Sequence, residues 1–323
     1  MGRLHARVYS EMPTVRLVGV YDQNLDTAKA AAEQYKTQAF DSLDALLPQV
    51  QAVTVAVPTQ AHLPVAEQVL SRRISCLIEK PLAKDVGEAR RIVQLANQSG
   101  ATVQVGHIER FNPAVRAMER LNIRPGFMEV IRVSPLTFRS IDVGVVLDMM
   151  IHDIDIVLKL AGAPVKDVQA VGVGVSVIGD VEDIANARVQ FENGCVANFT
   201  ASRLAMKTER RLRVFSRDAY VSIDYGKKQG VVVQRGANLQ TLRQVVAQIR
   251  SGEIQDLSQI NYMDLVKIEQ LPIEEVEPLR AQLDSFVSAV VNRTTPPVTA
   301  EHGLAAVELA QRIVDVLRPG MSL

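Results

Sequence analysis

The first hundred residues alternate between short apolar runs and segments of helical character. Gly100 stands where the long helix over residues 85–99 should end. Four of the apolar runs have the length and hydrophobicity of buried strands: 15–21, 52–57, 74–78 and 102–105. This alternation predicts an α/β fold with a doubly wound parallel sheet of the Rossmann type.

The pattern changes near residue 126, where strand-like segments follow one another and few helices separate them. A helix at about 147–161 interrupts the strands, and two terminal helices are predicted at 278–291 and 300–317. The strand-like segments are 127–133, 168–178, 184–191, 195–203, 212–216, 219–223 and 230–234. They predict a second α+β domain with a largely antiparallel open sheet.

The length of 323 residues suits two domains. We place a dinucleotide-binding domain at 1–122 and a substrate and oligomerisation domain at 123–323. An alternative placement of the terminal helices is against the first domain. The second sheet has few helices to cover its faces, and an exposed apolar face usually marks a partner. We therefore expect a homodimer or homotetramer.

Composition excludes several function classes. Lys and Arg number 36, as do Asp and Glu, so no net charge attracts nucleic acid or an anionic membrane. Cys76 and Cys195 have no paired spacing, so we expect neither a disulfide framework nor a metal site. No apolar run reaches the roughly 18 residues that a membrane span needs. The N-terminus lacks the apolar core of a signal peptide, which predicts a cytoplasmic protein.

The N-terminus carries part of a dinucleotide motif. Such folds open with a strand and a G-x-G-x-x-G loop that leads into a helix. This chain begins with Met1 and Gly2 and continues at once into helix-like sequence at 3–11. Gly2 fits the third glycine, and the strand and the first two glycines are missing, through a wrong start site or a truncation. The alternative is that Gly2 follows an ordinary start and has no role.

Asp22 supports the cofactor interpretation. It ends the 15–21 run, about 20 residues after Gly2, where an acid binds the ribose hydroxyls in such folds. No basic residue follows Asp22 directly, which favours NAD over NADP. The alternative is an ordinary turn residue after a strand.

Two further segments follow predicted strands, at the carboxyl edge where ligands bind in such sheets. Pro58 and Thr59 follow the second strand, and Thr59 is equally suited to cap the next helix. Glu79 and Lys80 close the third strand ahead of Pro81. Lys80 has the chemistry to donate a hydrogen bond to a reacting hydroxyl or to lower a neighbouring pKa. The alternative is a solvated lysine at a strand end.

Asp148 and His152 form the third candidate constellation. They are four residues apart on a predicted helix and therefore share one face. A carboxylate beside an imidazole suits a base that removes a hydroxyl proton while a hydride leaves the same carbon. The alternative is a buried Asp–His hydrogen bond without a functional role. No third ligand has the spacing of a metal site.

Taken together, these residues resemble the Gfo/Idh/MocA family of oxidoreductases over essentially the whole chain. The matching elements are Asp22, AVPTQAH at 56–62, IEKPLA at 78–83, GHIERFNPAV at 106–115, LDMMIHDIDI at 147–156 and EPLRAQLDSF at 277–286. The chain departs from the family where the phosphate-binding strand and loop are missing.

The resemblance implies roles for the candidate residues. His152 would be the catalytic base, Asp148 would orient the substrate or that base, and Lys80 would bridge substrate and nicotinamide. The cofactor NAD would be bound by Gly2, Asp22, Pro58, Thr59, His62, Glu79 and Lys80.

The segment 106–113 and the run 142–157 are similar to members that oxidise the 3-hydroxyl of UDP-N-acetylglucosamine. Arg110 and Asn112 would reach the sugar or its phosphate, although a structural ion pair explains Arg110 equally well. The resemblance leaves two alternatives open. One is a dehydrogenase of a free sugar or inositol, and the other is a binding protein that senses a dinucleotide or sugar without turnover.

Overall fold

The computed structural model describes residues 1–137, 143–174, 181–256 and 268–317. The chain divides into two compact units. The first comprises Met1–Phe111 and Val276–Arg312, and the second comprises Asn112–Glu275 together with the residues from Ile313 on. The fold class predicted from the sequence is confirmed, since one unit has parallel strands and the other has a largely antiparallel sheet.

The strands of the first unit are all parallel. They are β1 (Gly19–Tyr21), β2 (Gln38–Phe40), β3 (Ala52–Val55), β4 (Ser75–Glu79) and β5 (Val103–Gly106). β1 pairs with β2, and β4 lies between β3 and β5. No ladder joins β1 to β3 within the described part of the chain, and β1 is half-buried along its length. The predicted strand at 15–21 is therefore shortened to the three residues that pair with β2.

Helices follow the strands of the first unit. They are α1 (Gly2–Ser10), α2 (Leu25–Gln34), α3 (Leu43–Leu46), α4 (His62–Ser71) and α5 (Val86–Ser99), with α9 (Pro278–Asn292) and α10 (Ala300–Leu317) at the end of the chain. Residues with defined capping chemistry set the ends of α5. Asp85 accepts a hydrogen bond from the Glu88 amide at 2.9 Å, and Gly100 takes the left-handed conformation that ends the helix.

A shared core explains why the domain boundary differs from the predicted division at residue 122. Val8 of α1 and Met12, which follows α1, pack with Leu77 of β4 and with three residues of α9, namely Leu279, Leu283 and Phe286. Burial of these apolar side chains holds the chain from Val276 to Arg312 in the first unit. Residues 112–122, in contrast, belong to the second unit.

The second unit is built on an eight-stranded sheet with the order β13-β12-β11-β10-β6-β9-β8-β7. Only the β6–β9 pair is parallel among the ladders of this sheet that the structure describes. The strands are β6 (Pro125–Val133), β7 (Val165–Val173), β8 (Ile184–Phe191), β9 (Val196–Ser202), β10 (Glu209–Ser216), β11 (Ala219–Asp224), β12 (Gln229–Gln234) and β13 (Ile268–Gln270). The predicted strand at 168–178 begins earlier than expected, and its last residues lie partly outside the described ranges.

The helices of the second unit are α6 (Pro113–Glu119), α7 (Ile151–Ala161) and α8 (Arg235–Ser251). The predicted helix at 147–161 is present, but it opens with a π-helical turn over Val146–Met150 before α7 begins. Such turns occur often at functional sites. Within the described residues, no helix has the length and apolar character needed to cross a bilayer.

A buried ion pair ties α7 to the sheet. Arg132 of β6 and Asp153 of α7 are 4% and 1% exposed, and two hydrogen bonds of 2.6 and 3.0 Å join the guanidinium to the carboxylate. The Arg132 guanidinium also lies 5.4 Å from the ring centroid of Tyr225. The pair fixes α7 one residue after His152.

We predict that Arg132→Gln lowers the free energy of unfolding by about 3–5 kcal/mol, because it leaves a buried carboxylate without its ion-pair partner. Urea denaturation measures the change. Lys159→Gln is the matched control, since Lys159 of α7 pairs with Glu119 at 2.6 Å in a partly exposed position. That substitution should cost about 0–1 kcal/mol. Equal losses in the two variants would refute the assignment.

Candidate functional site

The segment after β4 carries the first set of candidate residues. Glu79 is the last residue of β4, Lys80 follows it, and the Lys80–Pro81 peptide bond is cis. Glu79 and Pro81 are buried, whereas Lys80 is half-buried. The sequence-based placement of Lys80 at the carboxyl edge of a parallel strand therefore agrees with the structure.

Glu79 faces a buried histidine of α1. His5 Nε2 lies 3.0 Å from Glu79 Oε1, and the two residues are 2% and 8% exposed. The contact does not meet the geometry of a hydrogen bond. Gly106 of β5 pairs with Glu79, and a Cβ atom at Gly106 would lie 2.8 Å from Glu79 Oε1. The glycine makes room for the carboxylate.

The loop after β3 meets the same segment through His62. This histidine is 1% exposed and begins α4. Its ring nitrogens lie within hydrogen-bond distance of backbone carbonyls of Val57, Pro81 and Leu82. Burial is the main influence on the pKa of His62 and lowers it, although the carbonyl contacts oppose that shift. These contacts explain the burial of His62 without a cofactor.

Pro58 and Thr59 lie at the start of a 3-10 turn that leads into α4. The capping role that we weighed for Thr59 is not observed, because Ala61 precedes α4 and makes no side-chain cap. Pro58 is exposed and Thr59 is half-buried. Contact with a cofactor remains the prediction for both residues.

Two features of the first unit fit a dinucleotide. α1 begins at Gly2 with no side-chain cap, and a Cβ atom at Gly2 would meet only Ala56, at 3.9 Å. The first turn therefore leaves room for a phosphate near its amide groups. Asp22 is exposed directly after β1, and its Oδ1 accepts a hydrogen bond from the Asn24 amide at 2.9 Å. An exposed carboxylate at this strand end suits the ribose hydroxyls.

In the second unit, Asp148 lies in the π-helical turn and His152 in the first turn of α7. Both are half-buried, and His152 stands between the buried residues Ile151 and Asp153. The Asp148 amide donates to the Gly144 carbonyl at 3.0 Å. The helix on which we placed this pair is thus present, and neither side chain is sequestered in the core.

Glu182 anchors the start of that helical segment and was not predicted from the sequence. It is 4% exposed, its backbone carbonyl accepts from the Val145 amide at 3.0 Å, and its Oε1 accepts from the Val146 amide at 3.1 Å. A Cβ atom at Gly144 would lie 2.1 Å from Glu182 Oε1. Glycine at this position therefore lets the carboxylate reach the helix start.

A second ion pair contacts the segment that precedes Asp148. Arg203 Nε lies 2.5 Å from Asp183 Oδ1, and its Nη1 donates to the Val143 carbonyl at 2.9 Å. Arg203 and Asp183 are both buried. Asp183 directly precedes β8 and Arg203 directly follows β9, so these strand ends contact the segment that precedes Asp148.

Of the four residues that we predicted to bind substrate, Arg110 and Asn112 are buried, whereas Asp148 and His152 are half-buried. Arg110 is 6% exposed, and a buried guanidinium must be paired, which favours the ion-pair interpretation. Asn112 caps α6: its Oδ1 accepts from the Ala114 amide at 3.0 Å and its Nδ2 donates to the Tyr225 carbonyl at 3.4 Å. These contacts give Asn112 a structural role, so its contact with substrate stays a prediction without structural support.

The cysteines offer no thiolate. Burial raises the pKa of Cys76 to about 12 and that of Cys195 to about 11, so both thiols stay protonated near neutral pH. Across the described residues, no three His, Cys, Asp or Glu side chains are grouped to hold a metal ion.

Comparison with known proteins identifies both parts of the chain. Residues 1–107 match the model of an oxidoreductase family with an NAD-binding Rossmann fold, GFO_IDH_MocA. Residues 134–222 match the model of the C-terminal domain of the same family.

Three relatives are informative. A UDP-N-acetylglucosamine 3-dehydrogenase of Acidithiobacillus ferrooxidans is 38% identical over 73% of this chain and 75% of its own length. A solved structure of that enzyme superposes with a TM-score of 0.87 at 30% identity, covering 100% of this chain and 96% of the other. An inositol 2-dehydrogenase of Rhizobium meliloti is 23% identical over 97% of this chain and 93% of its own length.

The exposed carboxylate of Asp22 predicts a preference between cofactors. The Asp22 carboxylate would repel the 2′-phosphate of NADP, so NAD should bind more tightly than NADP. Asp22→Ala should narrow the difference between the two affinities. Isothermal titration with each cofactor measures both affinities. Asp26→Ala, which removes an exposed carboxylate from α2, is the control and should leave the ratio unchanged. Equal affinities in the unmutated protein would contradict this role of Asp22.

Proposed function

This chain belongs to the Gfo/Idh/MocA family of NAD-binding oxidoreductases, and we propose that it oxidises the 3-hydroxyl of a sugar nucleotide such as UDP-N-acetylglucosamine. The substrate proposal is supported by the enzyme of Acidithiobacillus ferrooxidans, which is 38% identical over 73% of this chain. The structural observation that carries the proposal is the position of Lys80 directly after β4. Ligands bind at this edge in parallel sheets.

The cofactor would be held by residues of the first unit. The start of α1 at Gly2 would receive the pyrophosphate and Asp22 the adenosine ribose, with Pro58, Thr59 and Glu79 as further contacts. NAD, when bound, supplies the acceptor for a hydride.

His152 is the base in this proposal. Oxidation of a secondary alcohol requires removal of the hydroxyl proton as the carbonyl forms, and a neutral imidazole is suited to accept it near pH 7. Asp148 would orient the imidazole or the substrate from the preceding helical turn. The anchoring of that turn by Glu182 supports a fixed position for both side chains.

Lys80 would stabilise the reacting oxygen. As the proton leaves, negative charge develops on that oxygen, and an ammonium group that donates a hydrogen bond to it lowers the energy of the transition state.

Oxidation of inositol or a free sugar is the second candidate activity. It is supported by the inositol 2-dehydrogenase of Rhizobium meliloti, which matches 97% of this chain at 23% identity. A binding protein without turnover is the third candidate. A panel of UDP-N-acetylglucosamine, its uronic acid, myo-inositol and glucose, followed by NADH absorbance, separates the three.

We also propose that the protein forms a homodimer or homotetramer through its larger sheet and that it works in the cytoplasm. The eight-stranded sheet supports the first point, since Val171 of β7 and Phe215 of β10 are large apolar residues that are 71% and 41% exposed. A monomeric mass in light scattering at micromolar concentration would refute the assembly.

We predict that His152→Ala lowers kcat by about 10²–10⁴-fold while affinity for NAD persists, because it removes general-base assistance. Lys80→Ala should also lower kcat. NADH absorbance in the steady state gives kcat for each variant on whichever substrate of the panel is oxidised.

His302→Ala is the control for loss of an imidazole, since His302 is exposed in α10, outside the proposed site. It should retain the kcat of the unmutated protein. Full activity of His152→Ala would show that the base lies elsewhere and that the Asp148–His152 pair is structural.

A further inference from the structure

The residues on both sides of Lys80 are fixed by the fold of the first unit. Glu79 precedes Lys80 and faces His5 across 3.0 Å. Leu82 is fully buried against α10, where Gly303 permits the close approach: a Cβ atom there would lie 3.1 Å from Leu82 Cβ. The position of Lys80 is therefore set by how firmly this short segment is held.

His62 makes the most direct contacts with the backbone of that segment. Its Nδ1 lies 3.0 Å from the Pro81 carbonyl and 3.2 Å from the Leu82 carbonyl, and its Nε2 lies 3.1 Å from the Val57 carbonyl. All three partners are acceptors, so a ring nitrogen binds them only if it carries a proton. The imidazole therefore lies between the loop after β3 and the segment after β4, and it can donate to only one side when it carries a single proton.

The ring has one proton to share near neutral pH, because burial lowers the pKa of His62. Two carbonyls lie beside Nδ1 and one beside Nε2. The tautomer with the proton on Nδ1 gains more hydrogen-bond free energy than the one with the proton on Nε2, because Nδ1 faces two carbonyl acceptors and Nε2 faces one.

We propose that His62 is a positioning residue that donates a hydrogen bond from Nδ1 to the carbonyls of Pro81 and Leu82 and so holds Lys80 in its working position. This inference rests on the proposed role of Lys80. It replaces the cofactor contact that the sequence suggested for His62 with a role exerted through the backbone.

Two substitutions of His62 distinguish a hydrogen-bond donor at the Nδ1 position from one at the Nε2 position. The side-chain amide nitrogen of Asn is two bonds beyond Cβ, like Nδ1, whereas that of Gln is three bonds beyond Cβ, like Nε2. His62→Asn should therefore preserve the donor to Pro81 and Leu82, and His62→Gln should lose it. We expect kcat to fall about tenfold in His62→Gln, the effect of one lost buried hydrogen bond, and clearly less in His62→Asn.

A double substitution tests whether the effect passes through Lys80. If it does, His62→Gln should lower kcat in the unmutated background and have little further effect in Lys80→Ala. Equal losses in His62→Asn and His62→Gln, or a full additional loss in the double variant, would overturn the proposal.

Two measurements without substrate or cofactor keep this test separate from the proposed activity. The first is the extent to which acetic anhydride acetylates Lys80, quantified by mass spectrometry and normalised to the exposed Lys36. This extent should differ from that of the unmutated protein in His62→Gln but not in His62→Asn. Long-range ¹⁵N–¹H spectra of ¹⁵N-histidine-labelled protein should show the Nδ1–H tautomer for His62, assigned by its loss in His62→Asn. An Nε2–H tautomer, or unchanged labelling of Lys80 in His62→Gln, would overturn the proposal even if no substrate is found.

Discussion

Polar groups at the end of a fully buried strand must find partners inside the protein, and this constraint organises the first unit. Cys76, Leu77 and Ile78 of β4 have no exposed surface, yet the strand ends in a carboxylate and an ammonium group. An unpaired charge in such a place would cost far more than a typical single interaction gains. His5 of α1 lies 3.0 Å from Glu79 Oε1, and His62 of α4 lies within hydrogen-bond distance of the Pro81 and Leu82 carbonyls, so both helices contact the residues around Lys80.

The same logic operates in the second unit with different chemistry. A helix that begins with a π-turn leaves amide groups to satisfy, and Glu182 supplies acceptors for two of them. Asp153, the residue after His152, is bound to Arg132, so a buried ion pair fixes the chain next to the proposed base. The three proposed catalytic residues, Lys80, Asp148 and His152, are thus half-buried side chains with buried polar contacts nearby in the chain.

Much of this fold was predictable because burial repeats with a regular period. The runs at 184–191 and 300–317 were predicted with the bounds that the structure has. Strands of three residues, such as β2 and β13, were missed because no periodicity is measurable over that length. The run at 15–21 was predicted too long because apolar character alone does not supply a ladder partner.

The site was predictable only as far as local sequence determines it. Strand ends place Asp22 and Lys80, and helical spacing places Asp148 beside His152. The partners of these residues come from distant positions: Glu182 bonds an amide 36 residues away, and His62 reaches carbonyls 19 and 20 residues away. No sequence pattern indicated that His62 would be buried. The cap at Asn112 was overlooked, although Asn followed by Pro113 is a pattern typical of a helix start.

The proposed reaction transfers the hydrogen on carbon 3 of a sugar nucleotide to NAD. The most direct test uses UDP-N-acetylglucosamine with deuterium at carbon 3 and analyses the NADH formed by mass spectrometry. We expect NADH that carries one deuterium, together with a 3-keto product. Unlabelled NADH from this substrate, or NADH formed from inositol alone, would contradict it.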